Sequence, residues 1–227
     1  MSRLESRLQP GLAAPLMTSR EAVLHKVRTA LGRSAGAGVP PVPPAKLHIP
    51  VVSVEKRIEV FIAAFEKLNG KAYLANSIRE VPGIMQQILG GRQAVASNAP
   101  YLAECGITSL QGVQSGFTDR LKLREACVHL DVGITSADLA LADTGSYVMF
   151  SSAEEARMIS LLPPCHVAVV PRERILTGLD ELLTLHPVPS DRSSSMVLIT
   201  GPSRTADIEQ ILVRGVHGPG EVHVIVV

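Results

Sequence analysis

The sequence contains no tryptophan, only four phenylalanines and three tyrosines, and three cysteines in 227 residues. Each shortage closes a class of function. So few rings leave no ladder on which single-stranded bases would stack. Lysine and arginine number 22 against 21 acidic residues, a formal charge of +1, so no whole-molecule field exists to hold a polyanion, and nucleic acid is not an expected partner. Cys105, Cys127 and Cys165 are widely separated and form no C-x-x-C pair. The chain alone therefore cannot assemble a four-thiolate zinc or iron–sulfur site, and the odd count argues against a disulfide framework. No stretch approaches the roughly 20 apolar residues that span a bilayer, and the first twenty residues hold no continuous apolar core. The expectation is a cytoplasmic chain with no membrane span and no bound metal. Neither G-x-x-x-x-G-K-[ST] nor G-x-G-x-x-G occurs, which disfavours a Walker loop and a self-contained NAD dehydrogenase.

What remains is 46% hydrophobic and 19% charged, a composition that builds one compact core. Thr18-Ser19-Arg20-Glu21 matches a capping box and Gly32 supplies a stop, predicting a first helix over 19–31. The proline- and glycine-rich run SAGAGVPPVPPAKLHIP follows and reads as a linker, so residues 1–50 form an N-terminal helix and linker and 51–227 the main domain. In that domain Ile58, Phe61, Ile62, Phe65 and Leu68 fall at helical spacing before an Asn69-Gly70 stop. Further helices are predicted at 82–89, 99–105, 119–128, 177–185 and 204–214. Strands are predicted at 71–75, 93–97, 147–150, 166–170, 196–200 and 222–227. Such alternation, with near-continuous apolar strands, predicts an α/β fold: three layers, a mostly parallel sheet with helices on both faces, and ligands beyond the carboxyl ends of the strands.

Two segments hold the candidate site residues. In ITGPSRTADIEQILVRGVHGPG a strand ends near Thr200, turns at Gly201-Pro202 and is expected to open a helix. Free amides at that helix start, with Gly201, Ser203, Thr205 and the Arg204 guanidinium, suit a small anion such as a carboxylate or phosphate. The plainer reading is that Ser203 only caps the helix. Downstream, His217 stands among glycines and is a candidate proton donor or acceptor, or simply a turn histidine. His166, after two prolines, reads as a satisfied edge residue. The second segment is GITSADLALADTGSYVMF, where Asp138 and Asp143 flank an apolar stretch and Thr144-Gly145-Ser146 makes a polar turn. Asp138, Thr144 and Gly145 are candidates for ligand binding, Asp143 and His217 for catalysis, although the same residue types are ordinary turn formers. Asp143-Thr144-Gly145-Ser146 also spells the short aspartic-protease signature, but a single copy among βα units does not make the paired carboxylates that chemistry needs.

The blocks GITSADLALADTGSYVMF, ISLLPPCHVAVVPRERIL and GPSRTADIEQILVRGVHGPGEVHVIVV, in this order and spacing, resemble the lactate-utilisation protein C, or LUD-domain, family. The resemblance implies a fold similar to ribose-5-phosphate isomerase, glucosamine-6-phosphate deaminase and coenzyme A transferases. It implies a non-redox, substrate-handling or accessory subunit of a system that oxidises L-lactate to pyruvate, with iron–sulfur clusters carried by two partner subunits and none bound by this chain. Family members commonly carry glutamate where this chain has Asp143, which shortens the carboxylate by one methylene. Two other readings stand beside it: a scaffold or sensing protein without chemistry, and, by fold analogy alone, a sugar-phosphate isomerase or transferase.

Overall fold

The computed structural model describes residues 18–34, 49–206 and 212–227. The chain divides into two units, residues 1–46 and 47–227. In the first, α1 (Ser19–Ala30) begins at the expected capping box: Thr18 Oγ1 accepts from the Glu21 amide and the Glu21 carboxylate accepts from the Thr18 amide. Most of the proline-rich linker lies outside the described residues.

The second unit runs α2 (Val54–Lys67), β1 (Lys71–Leu74), α3 (Val81–Leu89), β2 (Ala94–Ala96), α4 (Pro100–Glu104), β3 (Val113–Gln114), α5 (Arg120–His129), β4 (Val132–Ser136), β5 (Leu139–Leu141) and β6 (Ser146–Phe150). It continues through β7 (Cys165–Val170), β8 (Ile175–Leu176), α6 (Leu179–Leu185), β9 (Met196–Ile199), β10 (Arg204–Ala206), β11 (Leu212–Arg214) and β12 (Glu221–Val226). Six strands form an all-parallel sheet in the order β1-β12-β7-β4-β2-β3. Period-two alternation splits its side chains. Val167, Val169 and Ile225 face α3 and α4, where Met85, Leu89 and Leu102 are buried. Ala168, Val170, Val224 and Val226 face α2, through Ile58, Phe61 and Phe65. The α/β fold with a mostly parallel sheet covered on both faces is as the alternation predicts.

Three sequence expectations change, and β3, β4, β5 and β8 lie where no strand was predicted. Residues 147–150 and 196–200 do not join the parallel sheet but lie in a second one, β8-β5-β6-β9, whose β5–β6 and β6–β9 pairs are antiparallel. Only Ala142–Gly145 separates β5 from β6, and so short a connection makes an antiparallel hairpin, never a parallel crossover. The second correction concerns the predicted helix 204–214, where Arg204–Ala206 pairs with Leu212–Arg214 as an antiparallel ladder. The Gly215 amide donates to the Ser203 carbonyl at 3.1 Å, whereas twelve helical residues would hold those groups roughly 18 Å apart. Tertiary pairing has overridden a helical apolar spacing.

His166 is also not an edge residue. It lies in β7, between β12 and β4, and is fully buried. Its Nδ1 is 2.6 Å from the Tyr147 hydroxyl of β6, and its Nε2 is 2.8 Å from Thr135 Oγ1 of β4, which is 3.6 Å from Met149 Sδ. One assignment satisfies every donor: Tyr147 donates to Nδ1, Nε2–H donates to Thr135, and Thr135 donates to the Met149 sulfur. Burial pushes the imidazole down to about 3, so it stays neutral. Between pH 6.5 and 3 the unfolded chain binds a proton that folded His166 refuses, so stability should fall as the pH falls through that window. Tyr147→Phe, which strands Nδ1, should cost about 1–3 kcal/mol in urea unfolding.

Candidate functional site

The carboxyl ends of β2 and β4 open on a cavity of about 380 Å³, bordered by Ala99 and Pro100 at the start of α4, Ser136 at the end of β4 and Asp138 beyond it, and Phe150 at the end of β6 with Ser151, Ser152, Glu154 and Glu155 beyond it. That volume falls in the small-molecule range of roughly 300–1,000 Å³, and the position is where open parallel sheets hold ligands. Arg192 and Ser193, from the connection before β9, close the other side.

The loop after β6 is fixed by its own serine. Ser152 Oγ accepts from the amides of Glu154 and Glu155, and the Asn98 amide donates to the Glu154 carbonyl. Glu155 is thereby turned inward and is only 6% exposed. Its Oε2 accepts from Ser97 Oγ at 2.6 Å, while its Oε1 is buried without a hydrogen-bond partner. Burial pushes this carboxyl up to about 8, helped by the Asp138 charge and opposed by the Ser97 hydroxyl. Asp138, by contrast, has both carboxylate oxygens paired. Its Oδ1 accepts from Arg192 Nη2 at 2.7 Å and its Oδ2 from the Phe150 amide at 2.8 Å. The Arg192 guanidinium lies 4.0 Å from the Phe150 ring centre. One cavity is thus bordered by an oriented guanidinium, a paired carboxylate and a carboxyl with one oxygen lacking a hydrogen-bond partner.

Of the residues singled out from sequence, only Asp138 borders this cavity. Asp143 lies at the β5–β6 hairpin tip, its amide donating to Thr177 and its carboxylate against Gly178, beside a separate cavity of about 280 Å³. Gly145 has φ +63°, and a Cβ there would lie 2.5 Å from the Phe65 amide nitrogen of α2. The turn therefore needs glycine for packing. Ser146 beside it hydrogen-bonds Thr200 at 2.7 Å, which brings the two predicted segments together. Gly201, at φ +77°, packs on Leu68 at the end of α2, and Arg204 donates to the Leu68 carbonyl at 2.9 Å. The Ser203 amide donates to Pro219, and exposed His217 sits in the Gly215–Gly220 turn that precedes β12. Without a helix beginning at Ser203, the helix-dipole argument for an anion there is lost. Thr205 lies in β10.

Sequence reasoning passed over Ser97, Glu155 and Arg192. A signal existed for the first two: Ser97 directly follows β2, and Ser151-Ser152-Ala153-Glu154-Glu155 directly follows β6, so a reading confined to residues beyond strand ends would have found both. Arg192 had none, because it comes from an irregular connection.

At the opposite end of the sheet, Cys165, Glu221 and His223 converge, since Glu221 pairs with Cys165 across β12 and β7. Glu221 also binds Lys71 and Arg92, each at 2.9 Å, and His223 Nε2 at 2.9 Å. The Lys71 hydrogen bond leads the set that pulls Glu221 down to about 2. A divalent cation there would have to displace two cations, so the cluster reads as an ion network that ties β1, β12 and the end of α3 together.

The LUD domain family profile matches residues 58–227, so the chain belongs to that family. It is 36% identical over 136 residues to lactate utilization protein C of Halalkalibacterium halodurans, an alignment spanning 56% of this chain and 59% of that protein. It is 29% identical over 221 residues to lactate utilization protein C of Anoxybacillus flavithermus, spanning 91% of this chain and 98% of that protein. A DUF162 family protein of Deinococcus radiodurans superposes with a TM-score of 0.59 at 19% identity, covering 78% of this chain and 99% of that one. This likeness is one of fold. No described helix is long and apolar enough to cross a membrane.

Glu155 carries a pH signature. Its folded value lies above its ordinary 4.5, so the folded chain holds the extra proton between 4.5 and about 8. The stability it contributes is complete below 4.5 and is lost as the pH rises through 8. Glu155→Gln should remove that decline, which runs from pH 4.5 to about 8, in a urea-midpoint series. Gly145→Ala should lower stability by about 1 kcal/mol or more, and leave ligand binding at the cavity unchanged.

Proposed function

We propose that this LUD-domain chain serves lactate utilisation as the substrate-handling subunit of a system that oxidises L-lactate to pyruvate, and that it holds the small 2-hydroxy or 2-oxo acid in the cavity beyond β2 and β4. One observation carries this reading: an oriented guanidinium, Arg192, and a buried carboxyl, Glu155, border the same cavity at the ligand-bearing edge of the sheet. A guanidinium matches a carboxylate in geometry and charge. Arg192 is already held by Asp138 and Phe150, so it meets a ligand in a fixed position. The relatives' name, lactate utilization protein C, supports lactate or its oxidation product as that acid.

Removing two electrons from lactate requires an acceptor. The three cysteines of this chain are buried, and they lie on α4's cap, on α5 and on β7, too dispersed to ligate a cluster together. We assign electron transfer to two iron–sulfur partner subunits, with this chain presenting the acid to them in the cytoplasm.

Calorimetric titration with L-lactate and pyruvate tests the reading. Arg192→Gln should weaken binding about tenfold or more, the effect of one lost charge-assisted hydrogen bond of about 1.5–3 kcal/mol. Arg204→Ala should leave affinity unchanged, because that guanidinium serves the end of α2. The reverse result would return the anion site to Gly201, Ser203, Arg204 and Thr205. Absence of binding by the wild-type chain at millimolar ligand would favour a docking subunit without a substrate site.

A further inference from the structure

The Glu155 carboxyl has one satisfied oxygen and one unsatisfied one. Ser97 donates to Oε2 at 2.6 Å and so marks that oxygen as the acceptor, leaving Oε1 as the atom that carries the proton when the group is neutral. Oε1 is buried and has no partner, on a side chain 94% removed from solvent. A polar atom left in that condition costs free energy comparable to a lost hydrogen bond, and a ligand that supplies the partner recovers it. The cavity that Glu155 borders is the space from which such a partner would come.

The two ligand classes of the preceding section differ at one position. A 2-oxo acid presents only an acceptor at C2, whereas a 2-hydroxy acid presents an O–H donor. A neutral Oε1–H matches the oxo oxygen; an ionised Oε1 matches the hydroxyl. Resting on the lactate reading of this cavity, we infer that Glu155 is a specificity-determining residue, whose protonation state decides whether the site prefers the 2-oxo acid or the 2-hydroxy acid. Conversion of one acid into the other would then change the preferred charge of the same carboxyl. No bond of Glu155 other than O–H is made or broken, and a proton passing on or off Oε1 comes from or goes to solvent or the ligand hydroxyl.

The groups surrounding Glu155 are few. Asp138 lies beyond β4, bound to Arg192 and to the Phe150 amide. Glu154 on the same loop accepts from Ser152, and the uncharged Ser97 hydroxyl beyond β2 and the Ser136 backbone amide at the end of β4 both favour the ionised form of Glu155. Arg192 is the cation on the connection before β9. Because burial has moved Glu155 up to about 8, its charge changes within a range that the folded chain can be studied in.

The test is the ratio of pyruvate to L-lactate dissociation constants between pH 6.5 and 9.5, for the wild-type chain and for Glu155→Gln, Asp138→Asn and Ser97→Ala. In the wild type the ratio should swing toward lactate with rising pH, by up to about tenfold per unit near 8, the slope set by one proton. Glu155→Gln, which offers both donor and acceptor, should bind both acids with a flat ratio, while Asp138→Asn should keep a slope with its midpoint moved to lower pH. Ser97→Ala should move the midpoint upward, because the hydroxyl favours the ionised form. A flat wild-type ratio with both acids bound overturns this inference alone. An unchanged slope in a folded Glu155→Gln chain also overturns it. Binding of neither acid by any chain overturns the reading of the cavity, and this inference with it.

Discussion

The hydrogen-bonded chain Tyr147–His166–Thr135–Met149 is the point at which the six-stranded and four-stranded sheets of this protein are fixed to each other. His166 and Thr135 belong to adjacent strands of the parallel sheet, Tyr147 and Met149 to the central hairpin strand of the second sheet, and the four lie in an otherwise apolar layer with Phe61, Phe65 and Ala168. An apolar layer alone would tolerate small slips of one sheet over the other. A buried imidazole does not, because a slip would leave two ring nitrogens, a phenol and a hydroxyl unpaired at once. The neutral state forced on His166 by burial is what permits one nitrogen to accept while the other donates.

From that fixed layer the two ends of the molecule follow. The hairpin β5–β6 begins at Asp138, beyond the carboxyl end of β4, and turns at Gly145 against α2, so one rigid ribbon positions a cavity residue at its base and packs a helix at its tip. The turn glycines and polar residues near the tip therefore serve packing. Gly145 admits α2, Ser146 reaches Thr200, and Arg204 satisfies the last carbonyls of α2 that the helix itself cannot. The base of the ribbon, near the ends of β2 and β4, is where Ser97, Ser136, Glu155 and Arg192 meet.

Four of the six parallel strands and most helices were legible because each carried its own signal, among them the capping box at Thr18, the Phe61–Phe65–Leu68 stripe, the Asn69-Gly70 stop and the unbroken apolar run of β7, whereas β3 and the central β4 were not predicted. What was not legible was pairing between distant segments. Nothing local distinguishes the apolar strand at 147–150 from a member of the parallel sheet, and the Ile211-Leu212 spacing after Arg204 reads as helix until Gly215 is found bonded to Ser203. The site was harder still. Asp138 was visible only as a carboxylate flanking an apolar stretch, and Asp143, Thr144, Gly145, Ser203, Arg204 and His217, singled out with it, do not border its cavity. Glu155 acquires its chemistry only from burial against Ser97, a residue 58 positions away.

The two ends of the parallel sheet also differ in how charge is treated. At the amino end Glu221 is gripped by Lys71, Arg92 and His223, and its pull down to about 2 keeps it ionised at any pH the chain meets in a cell. That end is an anchor, and an anchor gains from a charge that never changes. At the carboxyl ends of β2 and β4 Arg192 is committed to Asp138, and Glu155 accepts from the Ser97 hydroxyl. Had Arg192 faced Glu155 instead, the carboxyl would be ionised throughout and its free oxygen would be a permanent acceptor. Keeping the guanidinium on Asp138 is what leaves Glu155 able to be either donor or acceptor, a freedom that a second ion pair would remove.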